Sequence, residues 1–108
     1  MSQEKRHDPR LKIRVPVELR AEGQASPVRA DTTDLSAGGF YVEMMFTLEV
    51  GTKVDLTLQL GEATIVAMGE VVTCDRTVGN GIHFTKMLTE DREELARFLE
   101  AAKVAEST

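Results

Sequence analysis

The chain has no tryptophan, one tyrosine, one cysteine and two histidines among its 108 residues. Each scarcity excludes something. A single cysteine, Cys74, cannot build an internal disulfide framework and fits a reducing compartment. Two separated histidines and that one thiol do not supply the three or four converging ligands of a metal site, so neither metal nor cofactor is expected. With 5% aromatic residues, the chain lacks the stacking platforms that a single-stranded nucleic-acid binder needs. No stretch approaches the roughly 20 apolar residues of a membrane span, so membrane insertion is not expected. The polar start Met1-Ser2-Gln3-Glu4-Lys5-Arg6-His7-Asp8 carries no apolar leader, and a cytoplasmic location is expected. Ser-His-Asp and Cys-His arrangements, a Gly-rich phosphate loop with lysine and HExxH are all missing, so an enzyme is not expected.

What is present suffices for one folded domain, since 42% of residues are apolar and 29% charged. The net charge of −5 is unevenly spread: residues 1–20 carry +3 and the remaining 88 carry −8. An acidic body with a short basic end is a poor footprint for DNA or RNA and a better one for a small anion held by a few arginines.

Leu11 to Arg20 alternates without a break, apolar at odd positions and charged or proline at even ones, as a strand with one buried face does. Pro16 lacks an N–H, which places it at an edge or a break in the ladder. Strands are expected next over Val28–Thr33, Phe40–Met44, Val54–Leu60, Ala63–Asp75 and Ile82–Phe84. Turns are expected at Glu22–Pro27, at Gly61-Glu62 and at Val78-Gly79-Asn80-Gly81, and a bulge or bend at Gly69. Such closely spaced short strands predict a small barrel or sandwich. Thr89 is expected to cap a helix over 89–103, whose Leu95, Phe98, Leu99 and Ala102 form a narrow apolar stripe that docks on the barrel. Residues 105–108 are expected to fray. Met44, Met45, Met68 and Met87 read as core or gap filler, and Cys74 and His83 as ordinary strand residues.

Two clusters stand apart from this scaffold. The first is Arg6-His7-Asp8-Pro9-Arg10, extended because Pro9 disfavours helix at Asp8. Two guanidinium forks four residues apart on a pliable arm can converge on one phosphate or on the O6 and N7 acceptors of a guanine. The second is Asp34-Leu35-Ser36-Ala37-Gly38-Gly39, at a strand junction. Ionised Asp34 accepts where guanine N1–H and N2–H₂ donate, Ser36 can bond the base or a phosphate, and Gly38 and Gly39 permit positive φ and close approach. Alone, each cluster is also what a solvated basic tail or an Asx turn looks like.

Together, Arg6-x-x-x-Arg10 and Asp34-x-Ser36-x-x-Gly39 resemble the signature of the PilZ domain family, receptors for the bacterial second messenger cyclic di-GMP: RxxxR, then [DN]-x-S-x-x-G. The likeness extends to Val15-Pro16-Val17, to Gly38-Gly39-Phe40-Tyr41-Val42, to Gly81-Ile82-His83-Phe84 and to the terminal helix. It implies a mainly β fold, a six-stranded antiparallel barrel with a C-terminal α-helix, made of an arm (residues 1–10) and a barrel-plus-helix domain (residues 11–104). It implies a cyclic di-GMP site of Arg6, Arg10, Asp34, Ser36 and Gly39, with Lys5, His7, Gly38 and Tyr41 as secondary contacts. The expected function is a receptor whose arm orders on binding and which signals to a partner protein in motility, biofilm or pilus-type processes. A PilZ-like adaptor that binds no nucleotide is the alternative.

Overall fold

The computed structural model describes residues 10–107. Six strands, β1 (Pro16–Ala21), β2 (Val28–Leu35), β3 (Gly39–Glu43), β4 (Lys53–Leu60), β5 (Ala63–Asp75) and β6 (Gly79–Met87), precede one helix, α1 (Thr89–Ser107). All strand pairs are antiparallel, and the order β1-β2-β3-β6-β5-β4 closes on itself. The expected barrel with a C-terminal helix is therefore the observed one.

Alternation decides what faces in. Val15, Val17, Leu19 and Ala21 point into the core with Val54, Leu56, Leu58 and Leu60 of β4, and Phe40 and Phe84 meet there with ring centroids 5.7 Å apart. Leu95 of α1 is buried, and Phe98 and Leu99 pack beside it against the same core, so the apolar stripe docks as its spacing predicts.

The odd-in, even-out pattern continues back through Leu11 to Val15, but the regular ladder begins only at Pro16. Thr32 explains the interruption. Its buried hydroxyl accepts from Val15 N–H at 3.0 Å and donates to the Ile13 carbonyl at 2.7 Å, standing in for a backbone partner. Leu11 and Leu35 then exchange both backbone hydrogen bonds, at 2.9 and 3.0 Å, which pins the residue before Leu11 against the end of β2.

Elsewhere the boundaries move for identifiable reasons. Gly61-Glu62 is the expected two-residue link between β4 and β5, with Gly61 at φ 66°, and the register shifts at Met68/Gly69 as a bulge requires. The turn expected at residues 78–81 lies instead at Arg76–Val78, where Thr77 adopts φ 62°, and Gly79-Asn80-Gly81 already belongs to β6. Asn80 is fully buried because its amide is used up inside: Oδ1 accepts from Leu48 N–H at 2.8 Å, and Nδ2 donates to the Leu48 and Thr73 carbonyls. Met44 enters the core, whereas Met45 and Met68 are exposed rather than gap filler. The helix starts one residue too early for Thr89 to cap it, since Thr89 is already its first helical residue. β6 runs to Met87, so Leu88 holds the capping position and its carbonyl accepts from Arg92 N–H at 2.9 Å. The helix also continues through 105–107, where fraying was expected, since no glycine or proline interrupts the sequence there.

Candidate functional site

Arg10 of the first cluster meets Asp34 of the second at the end of β2. Arg10 Nη1 donates to Asp34 Oδ1 at 2.9 Å across 24 residues of chain. Both side chains keep solvent access, 43% for Arg10 and 22% for Asp34, so the pair sits at a surface that a ligand can reach. Asp34 and Leu35 are the last residues of β2 rather than part of a loop, and the register shift between Thr32 and Asp34 re-aims the Asp34 carboxylate. Arg6, Lys5 and His7 lie outside the described residues, and the arm expected over residues 1–10 is described only at Arg10.

Ser36 is buried and serves the turn itself. Its Oγ accepts from the N–H groups of Gly38 and Gly39 and donates to the Gly39 carbonyl, each at 3.2 Å, while Ser36 N–H donates to that carbonyl at 2.8 Å. One hydroxyl hydrogen and two lone pairs are thereby spent within the turn. Gly39 matters for space, not for positive φ: among the described residues positive φ falls at Gly23, Gly51, Gly61 and Thr77. A Cβ at Gly39 would overlap the Ile82 carbonyl of β6 and approach His83 Cα to 3.1 Å. Phe84 N–H donates to the Gly38 carbonyl at 2.9 Å, so the turn is tied to β6 on its other side.

Tyr41 is the register partner of Asp34 on β3, and paired residues share a face of the sheet. Its Oη donates to Asp75 Oδ2 at 2.7 Å. That hydrogen bond, reinforced by desolvation and the charges of Asp75 and Glu43, pushes the phenol from its ordinary 10.0 up to about 12. The folded chain thus holds a proton that the unfolded chain releases near pH 10, so stability falls as pH rises from there towards 12. Tyr41 is the only tyrosine, so phenolate absorbance reports on it alone. A titration midpoint near 12 is expected, moving back towards 10 in the unfolded protein; a native midpoint at 10 would deny the Asp75 contact.

His83 is exposed on β6 opposite Gly39, and Cys74 is a half-buried free thiol on β5. Among the described residues no three His, Cys, Asp or Glu side chains converge as a metal would require, and no helix is long and apolar enough to cross a membrane. A shallow cleft of about 440 Å³ lies away from the signature, over β1, β2 and β4. Its arginine, Arg29, is paired with Glu18 at 3.3 Å, and no signature residue lines it. The chemistry of Arg10 and Asp34 makes the end of β2 the better candidate.

Sequence reasoning missed two supports of the site. Thr32 holds the Leu11–Val15 segment, and hence Arg10, in place, while Gly79 accommodates the Tyr41 ring, whose Cε2 would lie 2.7 Å from any Cβ there. Neither has a signal in the sequence, since a buried strand threonine reads like an exposed one and Val78-Gly79-Asn80-Gly81 reads as a turn.

The PilZ domain family model matches residues 4–101, and the chain belongs to that family. Its fold is shared by the Bacillus subtilis inhibitor of motility MotI/DgrA, with a TM-score of 0.83 at 16% identity over 95% of this chain and 53% of that one, so this chain spans about half of MotI. The PilZ domain of CeSA from a cellulose-synthesizing bacterium is similar too, with a TM-score of 0.71 at 20% identity over 88% of this chain and 98% of that domain. No curated protein matches the sequence.

Proposed function

We propose that this PilZ domain is a cyclic di-GMP receptor. The observation that supports it best is the 2.9 Å contact between Arg10 and Asp34, which joins the two halves of a signature separated by 24 residues. Asp34 accepts from the N1–H and N2–H₂ edge of one guanine, and Arg10, with Arg6 before it, binds phosphate oxygens or the opposite guanine edge. Ser36 and Gly39 act chiefly by shaping the turn that ends beside Asp34. Lys5, His7 and Gly38 serve as secondary ligand contacts.

The receptor has no catalytic role and neither DNA nor RNA as a ligand. It works in the cytoplasm without inserting into a membrane. Ligand binding changes the receptor's conformation and so the surface offered to a downstream protein, in a motility, biofilm or pilus-type process.

Titration calorimetry with cyclic di-GMP, with GTP and cyclic AMP as controls, tests the reading. Saturable binding at micromolar affinity or better is expected for cyclic di-GMP alone. No heat and no thermal shift at saturating ligand would overturn it in favour of an adaptor that acts through protein contacts only.

A further inference from the structure

The outer surface beside Asp34 is floored by residues without side chains. Across one row of the barrel Asp34 on β2 pairs with Tyr41 on β3, which pairs with Gly81 on β6, and in the next row Glu43 pairs with Gly79. The phenol ring leans over Gly79, where a Cβ would come within 2.7 Å of Cε2 and 2.9 Å of Oη, and its hydroxyl is tethered to Asp75 on β5 at 2.7 Å. The ring is therefore seated against backbone at Gly79, and the half-buried side chain retains part of its surface for a ligand. The tether removes the rotamer freedom that an exposed tyrosine would otherwise lose on binding.

We infer that Tyr41 is a preorganised stacking platform for one base of the ligand, a role that rests on the receptor reading above. An aromatic face attracts any purine, whereas the neighbouring Asp34 carboxylate accepts only from a base edge that presents donors. Together they select a guanine, gripped at its edge by Asp34 and Arg10 or lying flat on the phenol as the second base of the same molecule. Asp75 is a positioning residue, which holds the ring and touches no ligand.

With no tryptophan and a single tyrosine in the chain, intrinsic emission reports on this ring alone. Titrating the wild-type chain with cyclic di-GMP, with correction for ligand absorption, is expected to quench that emission saturably, with the same midpoint as calorimetry. Tyr41→Leu is expected to bind roughly ten- to a hundredfold more weakly, the range that loss of one base–aromatic stack produces, with its thermal transition retained. Tyr41→Phe keeps the ring but loses the tether, and is expected to fall between the two.

Wild-type affinity in Tyr41→Leu would overturn the platform and leave the receptor intact. If Tyr41→Leu does not fold, the wild-type emission decides: no change at calorimetric saturation overturns the platform. Absence of binding by the wild-type chain overturns the receptor reading, and this inference with it.

Discussion

Asp34→Ala is expected to weaken cyclic di-GMP binding by more than roughly a hundredfold, because it deletes two charge-assisted hydrogen bonds worth about 1.5–3 kcal/mol each. The fold should hardly notice. The Arg10–Asp34 pair is partly exposed at 43% and 22%, and such pairs contribute at most about 1 kcal/mol to stability. Arg10→Ala should act in the same direction, with a similar separation between affinity and stability. Asp34→Asn keeps a carbonyl acceptor without the charge and should retain part of the binding. Arg14→Ala is the internal control: Arg14 faces outward with only a loose 4.0 Å approach to Glu43 and should bind like wild type. Calorimetry on these variants, with urea melts alongside, decides the matter. Unchanged affinity in both Arg10→Ala and Asp34→Ala would mean that the ligand site lies elsewhere on the barrel.

Gly39→Ala should produce the opposite profile, a loss of folding stability of about 3 kcal/mol or more. The added methyl has nowhere to go, since its neighbours are the Ile82 carbonyl and the His83 Cα of β6 rather than the end of a movable side chain. β3 and β6 must separate, and the Ser36 turn anchored on Gly39 must shift with them. Gly81→Ala offers the comparison. A Cβ there meets only Thr73, with its Cβ at 3.1 Å and Oγ1 at 3.2 Å, and small adjustments of the two strands should keep the cost well below that of Gly39→Ala. Chemical denaturation measures both. Equal stability of the two variants would remove the steric reason for glycine at 39.

The barrel was legible because its strands alternate so regularly: β1 and β4 bury every second residue, as does β5 from Ile65 to Val71, and a period of two has one physical meaning. The helix was legible from the spacing of Leu95, Phe98 and Leu99. Positions decided by contacts distant in sequence were not. Nothing near Thr32 announces that its hydroxyl replaces a backbone partner for Ile13 and Val15. Asn80-Gly81 reads as a turn because Asn-Gly usually is one, and only the fold reveals that the Asn80 amide is needed by Leu48 on another segment. Within the site, the types of residue were readable from hydrogen-bonding chemistry, and the meeting of Arg10 with Asp34 was an expectation from the resemblance. The division of labour inside the motif was not readable: Ser36 and Gly39 are spent on shaping a turn and admitting a neighbouring strand, while Asp34 keeps an accessible carboxylate.

Because β1 pairs with both β2 and β4, every strand of the sheet has a neighbour on either side. Recognition by β-augmentation, in which a visiting peptide adds itself as one more strand to a free edge, finds no edge strand among the described residues. A protein that docks on the sheet must read side chains, so its choice of target is encoded in outward-facing residues that can change between relatives without disturbing the scaffold beneath them.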